Sequence, residues 1–251
     1  MKFTVPALAA LILGCLGSHI DVKVYTRIVG GEEATAEEPN VVFLLNHDTK
    51  AQCTGTCINS HWVLTAANCN PGGTAKDFIV ISGKDNSGQD RNHTITEWIN
   101  HKEYNDSKYW DNNIALVKVE PIIEGIHEVV LPTTEDADYS DETGSAFGWG
   151  ANCGFCGWSE TLRKVDNLKI YSHEDCEKIY GGGPTNSTIC AGNPDTLEGI
   201  CDGDNGSPLM VRNVIVGITS WIRHPCASQP AVFTKVSHYK TWISTITSIS
   251  K

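Results

Sequence analysis

Short β-rich apolar runs alternate with Gly, Asn, Asp and Pro turn signals along most of this chain. The runs fall at 41–45, 62–65, 78–81, 114–119, 167–170, 207–211 and 214–218. Many short strands with turns between them predict an all-β barrel or sandwich. The final segment has another period. Trp242, Ile246 and Ile249 stand at i, i+4 and i+7 with Ile243 beside them, the stripe of one amphipathic helix. No internal repeat or low-complexity tract stands out.

The amino terminus is different again. Lys2 precedes an apolar stretch over 5–16, and the small residues Gly17 and Ser18 follow. This reads as a secretory signal peptide at 1–17. The stretch is too short to cross a bilayer comfortably. Leu13-Gly14-Cys15 also matches, faintly, a bacterial lipoprotein signal.

Secretion changes the meaning of the ten cysteines. An oxidising compartment lets disulfides persist, and no paired CxxC zinc pattern is present. Loss of Cys15 with the signal leaves nine, so one cysteine is free or pairs between chains. Composition and charge narrow the rest. Hydrophobic residues are 40% of the chain, too many for a disordered one. The formal net charge is −11; residues 1–27 hold Lys2, Lys23 and Arg27 against Asp21, a net of +2, which leaves −13 from Ile28 onward. An acidic surface repels phosphate, so nucleic acid is not an expected partner. No membrane partner is expected either.

Six short motifs then sharpen the picture. They are Arg27-Ile28-Val29-Gly30-Gly31, Leu64-Thr65-Ala66-Ala67-Asn68-Cys69, Asn113-Ile114-Ala115-Leu116, Gly148-Trp149-Gly150, Gly203-Asp204-Asn205-Gly206-Ser207-Pro208 and Ser220-Trp221. In this order and spacing they resemble the landmarks of the trypsin/chymotrypsin family of serine proteases from Ile28 to the carboxyl terminus. The resemblance implies two six-stranded antiparallel β-barrels, a cleft between them and a C-terminal helix. It divides the chain into a signal peptide at 1–17, a short activation propeptide at 18–27 and a protease-like domain at 28–251. The ten-residue propeptide holds no added cystine-rich domain.

The resemblance also implies pairings and positions. Cys53 with Cys69, Cys176 with Cys190, and Cys201 with Cys226 would be bridged. Cys153 and Cys156 would form an extra local staple, leaving Cys57 without an assigned partner. Family members use a serine nucleophile, a histidine base and an aspartate that orients it. The matching residues here are Asn205, Asn68 and Asn113. A carboxamide has no pKa near neutrality and cannot act as a general base. Asn113 carries no charge to steady an imidazolium, and Asn205 has no hydroxyl to acylate. Loss of one key member costs about 10⁶-fold in turnover in a protease of this mechanism. A remnant of the oxyanion-binding N–H pair would remain at Gly203 and Asn205.

Other residues stay open as substitutes: Asp111 as a displaced carboxylate, His61 or His101 as a base, and Cys57 as a stray nucleophile. The activation apparatus is present as Arg27 and Ile28, the expected cut, and as Ile28 with Asp204, the expected ion pair. Gly199, Ile222 and Ala231 fall at the specificity pocket and predict a shallow, apolar, partly closed one. Ser207 replaces a glycine beside the nucleophile position, which predicts strain in that turn. Asn92, Asn105 and Asn186 head N-x-S/T sequons in loop-like stretches. Asn205 heads another, in a tight turn expected to hinder transfer.

These readings converge on a secreted, extracellular, non-catalytic homologue. It would act by binding a protein, such as a protease, an inhibitor or an immune-cascade component, as a decoy, cofactor or regulator of a proteolytic or immune cascade or as a venom, salivary or parasite effector. It is expected to be a monomer without cofactor or metal. The competing expectation is a weak or unorthodox secreted endopeptidase.

Overall fold

The structure is a computed structural model and describes residues 28–35, 40–72, 74–83, 90–126, 129–151, 157–193 and 195–249. The expected signal and propeptide, with Arg27, and the CxxC cysteines Cys153 and Cys156 lie outside the described residues.

A two-residue strand β1 (Glu32–Glu33) opens the described chain. Six strands then form the first barrel: β2 (Val41–Asn46), β3 (Gln52–Cys57), β4 (Trp62–Thr65), β5 (Phe78–Ser82), β6 (Arg91–Asn100) and β7 (Ala115–Glu120). They close in the order β2-β3-β4-β7-β6-β5, all antiparallel. The second barrel holds β8 (Thr143–Gly148), β9 (Arg163–Tyr171), β10 (Thr188–Gly192), β11 (Pro208–Val211), β12 (Val214–Trp221) and β13 (Ala231–Lys235). Its order is β8-β9-β10-β13-β12-β11, closed by β11 on β8, with β1 added beside β9. Two short helices complete it, α1 (His173–Tyr180) and α2 (Lys240–Thr247).

Closure removes the sheet edges that would otherwise pair with another chain. It also buries whole strands rather than one face. Val41, Val42, Phe43 and Leu44 of β2 are all buried, because one face fills the first barrel and the other meets the second. Phe43 packs edge-on against Trp149, ring centroids 5.6 Å apart. One apolar cluster therefore runs from Leu44, Leu64 and Leu116 through Trp149 to Ile218 and Ile243. A second, of Ile28, Leu168, Ile200, Leu209 and Phe233, fills the other barrel.

Several expectations shift in detail. The run at 114–119 begins as a strand only at Ala115. The run at 167–170 lies inside the longer β9, where Asn167 takes φ +58° at a register slip opposite Gly144 and Ala146. Asparagine tolerates that left-handed angle better than branched residues do. The C-terminal stripe centres on Ile243, which is buried, and the helix ends at Thr247, so Ile249 lies past it. Helix α1 has a narrow apolar face, Cys176 and Tyr180, and is held by its ends. Ser172 caps it by accepting from the Asp175 N–H at 3.1 Å, and Gly181 ends it in the left-handed conformation.

Among the described residues, three disulfides brace the barrels. Cys53–Cys69 ties β3 to the turn that carries Asn68, with Cα atoms 6.0 Å apart. Cys176–Cys190 ties α1 to β10, and Cys201–Cys226 joins two loops beside the cleft. Cys57 is free and buried on β3.

Candidate functional site

Asn68 sits in the tight 3-10 turn that follows β4, and Asn113 lies just ahead of β7. Asn205 lies in the loop before β11, and Ser220 is on β12. The fold brings the first two and Ser220 into one bonded set. The Asn68 N–H donates to Asn113 Oδ1 at 2.8 Å. Asn113 Nδ2 donates to Ser220 Oγ at 2.8 Å. The Asn113 carbonyl accepts from Thr234 Oγ1 at 2.8 Å. Asn68 Nδ2 donates to the Ser220 carbonyl at 3.2 Å. These partners fix both amide orientations, since an N–H must meet an oxygen and a carbonyl must meet a donor. Asn113 is fully buried and neutral, so its burial needs bonds and no counter-ion. Asn68 Oδ1 is buried with no donor among the described residues.

Asn205 is half-buried, and its carbonyl accepts the Thr54 N–H from β3 at 2.8 Å. The turn around it is built on two glycines, Gly203 at φ +90° and Gly206 at φ +83°. A Cβ on Gly206 would stand 2.1 Å from the Thr54 carbonyl oxygen. Ser207 corrects the sequence expectation of strain. It is not among the positive-φ residues, and its N–H donates to the Asp204 carbonyl at 2.9 Å. The left-handed angles of this turn fall on its glycines instead. Trp158 takes a place that no motif marks: its ring lies on the Cα of Gly203, 1.9 Å from where a Cβ would be.

The three positions expected at the specificity pocket are apolar. A Cβ on Gly199 would meet the Ala227 Cβ at 3.2 Å, Ala231 is buried in β13, and half-buried Ile222 packs on the second core. Flanking the Cys201–Cys226 bridge in sequence, Asp202 Oδ1 lies 3.4 Å from His224 Nε2. Asp202 groups with Cys201 and Cys226, but those two sulfurs are bonded to each other and offer no thiolate to a metal.

Asp204 is buried beneath the same loop. Its Oδ1 accepts the Gly150 N–H at 2.8 Å and its Oδ2 accepts the Cys201 N–H at 2.9 Å. Burial pushes its carboxyl up to about 7, against the pull of those two donors. Ile28 is buried in the second core, and its neighbour Val29 bridges to Gly199.

The possible substitutes have other partners or surroundings. Asp111 Oδ1 accepts from Thr185 Oγ1 at 3.0 Å and from Ser187 Oγ at 2.7 Å, which ties it to the loop ahead of β10. The exposed His61 bonds its neighbour Ser60 through Nδ1 at 2.9 Å. The His101 ring packs edge-on to Tyr239 and Trp242, and burial lowers its pKa. Burial raises the Cys57 thiol far above its ordinary range, so little thiolate forms. Asn92, Asn105 and Asn186 are all exposed, but Asn92 lies on strand β6 and not in the loop expected of it, because β6 is a largely polar strand with no apolar run to mark it.

Comparison with known proteins decides the family. The family model described as Trypsin matches residues 28–243. The chain belongs to the trypsin family. Mouse Kallikrein-1 is 32% identical to this trypsin-family chain, over 97% of each. Serine protease VLSP-1 of Macrovipera lebetinus is also 32% identical, over 87% of this chain and 86% of its own. A snake venom serine protease homolog of Bothrops jararacussu is 29% identical over similar shares, 87% and 86%. The crystal structure of the scabies mite inactivated protease paralogue S-D1 shares the fold. It has a TM-score of 0.77 at 24% identity and covers 88% of this chain and 97% of its own.

Proposed function

We propose that this chain is a secreted, non-catalytic member of the trypsin family that works by binding a protein partner. The partner would be a protease, an inhibitor or a component of a proteolytic or immune cascade. One observation carries this reading: carboxamides stand at all three positions where the family resemblance puts the triad, and Asn68 and Asn113 are bonded to each other and to Ser220 as neutral groups. Such a set has no nucleophile to form an acyl intermediate and no base to take a proton. The Gly203 and Asn205 N–H groups could still hold a carbonyl oxygen, which favours holding a peptide over cutting it. Trp158 on Gly203 narrows that spot further. Disulfides, and the likeness to a snake venom serine protease homolog, support secretion.

The test is inertness. The purified chain should leave casein and peptide amides uncut, and an active-site serine phosphonate should not label it. Turnover that persists through several columns and vanishes on substituting Asn205 would overturn the reading.

A further inference from the structure

Two exposed aromatic rings stand side by side where the backbone is least at ease. Tyr109 is 56% exposed and Trp110 39%, in the loop between β6 and β7. Both hold φ +51°, and Asn112 holds φ +55°. Side chains with a Cβ disfavour that left-handed region, bulky ones most. Such strain persists only where the surroundings impose it, and here they do. The Asn105 N–H donates to the Asp111 carbonyl at 3.0 Å and closes the loop. Asn112 Nδ2 donates to the Glu103 carbonyl at 3.0 Å, and Asn112 Oδ1 accepts from Tyr239 Oη at 2.9 Å. The rings lean on the second barrel. Trp110 and Trp221 have centroids 6.1 Å apart, and a Cβ on Gly183 would stand 2.9 Å from the Tyr109 ring. Those contacts leave much of both rings in water.

Two sequons far apart in the chain meet at this loop. Asn105 opens it and faces Asp111, the neighbour of Trp110, across the closing bridge. Asn186 stands between Thr185 and Ser187, whose hydroxyls donate to Asp111 Oδ1 at 3.0 Å and 2.7 Å. The same segment holds Gly183, on which Tyr109 rests. Both asparagines are exposed. The Ser107 N–H donates to Asn105 Oδ1 at 3.0 Å, which occupies the oxygen and leaves Nδ2, the atom that takes a sugar. Thr188 of the other sequon is buried in β10 and bonds the Thr185 carbonyl at 2.8 Å, so transfer to Asn186 precedes folding. The third exposed sequon lies elsewhere: Asn92 is at the far end of β6, paired with Ile81.

We infer that N-linked glycans on Asn105 and Asn186 together cover Tyr109 and Trp110, so that this aromatic pair is a seat for the chain's own sugars. In each transfer, Nδ2 loses a proton and bonds C1 of the first N-acetylglucosamine, and the C1–O bond to a lipid pyrophosphate donor breaks. A sugar ring shows a face of C–H groups that packs on an aromatic face, while its hydroxyls stay in water. Rings held outward by a strained but well-tied loop offer such faces without further ordering. The inference rests on the secretory part of the reading above and is independent of the lost catalysis.

The test expresses the full chain in eukaryotic cells and collects it from the medium. Glycopeptide mass spectrometry should find both Asn105 and Asn186 occupied. The double variant Asn105→Gln with Asn186→Gln should bind more of a hydrophobic dye and elute later from a hydrophobic column. It should also melt about 3 °C lower, the effect of returning two part-covered rings to water. Each single variant should show part of these changes, and Asn92→Gln none. With Tyr109→Ser and Trp110→Ser in place, loss of both glycans should leave dye binding and elution unchanged. If the double variant fails to fold, stripping the folded wild-type chain with an N-glycanase gives the same comparison. A secreted chain with either asparagine bare would overturn the joint cover and leave secretion standing; with both bare, the pair is free for a protein partner instead. A chain retained in the cytosol would overturn secretion and cover alike. Equal shifts in Asn92→Gln, or shifts that persist without the two rings, would show that the sugars act by bulk alone and would overturn the inference.

Discussion

Asn113 and Asp204 are both fully buried polar side chains beneath one cleft, and the molecule holds them in opposite ways. Asn113 has matched partners on both side-chain atoms, from Asn68 and Ser220, and carries no charge. Asp204 has two donors, a neighbouring acid and two glycines pressed on its carboxyl. A buried amide is stable once its bonds are made, whereas a buried carboxylate also needs a counter-charge. The asparagines at the positions where the family resemblance puts the triad are thus held as neutral structure, while Asp204 keeps a buried carboxyl with no cation bonded to it among the described residues. Substitutions that exchange these conditions should have very unequal effects.

The largest effect should come from crowding Asp204. Gly150→Ala sets a methyl group 2.4 Å from both the carboxyl carbon and Oδ2, and both sit in packed loops with nowhere to retreat. Overpacking of this kind costs about 3 kcal/mol, a Tm lower by roughly 6–12 °C in a domain this size. Adding Asp204→Ala removes the clashing atoms, so the double variant should be more stable than the two separate losses predict. Additive losses in thermal melts would mean that the glycine serves the backbone and not the acid.

The same test on the other side is milder. Asn113→Ala leaves the Asn68 N–H and Ser220 Oγ without their partner, at a cost of about 2 kcal/mol by denaturant unfolding. Asn113→Asp keeps an acceptor for the Asn68 N–H, and the Ser220 hydroxyl can turn to donate. What it lacks is a cation, which makes it a second Asp204. Its loss should be smaller than that of Asn113→Ala at pH 5 and should grow as the buried acid ionises toward pH 8. A chain with Asn113→Asp that is equally stable at both values would show that the cleft tolerates a bare charge.

The two sides were not equally legible in the sequence. The apolar runs announced β2, β4, β5, β11 and most of β12, because barrel strands buried on both faces read as continuous hydrophobic stretches. Strand β6 was silent: ten residues long, it buries only His93 and Ile95 and reads as polar. Strand β8 hides behind its glycines, and α1 is fixed by caps more than by an apolar stripe. At the site, the three asparagines could be named from the motifs around them. Their bonding could not, because Asn113 and Ser220 are 107 residues apart. Asp111 looked like a rival carboxylate by sequence distance alone. Only the fold shows its carboxyl engaged by Thr185 and Ser187. The seat of Trp158 on Gly203 depends on a loop path that no local pattern encodes.

The smallest effect should fall on Asn68, and for a reason that Asn113 lacks. Its Nδ2 makes one hydrogen bond, to the Ser220 carbonyl at 3.2 Å. Its Oδ1 is buried without a donor among the described residues. The first contributes about 1 kcal/mol and the second costs about as much, so the two nearly cancel. Its backbone N–H, which holds Asn113, survives any side-chain change. Asn68→Ala should therefore shift stability by no more than about 0.5 kcal/mol, four times less than Asn113→Ala. A donor delivered to Oδ1, by a ligand or by a bound water, would change the balance. In that case Asn68→Ala would cost about 1–2 kcal/mol, and the orphan oxygen would be marked as a contact point of the cleft. Chemical denaturation of both variants side by side reads the ratio directly.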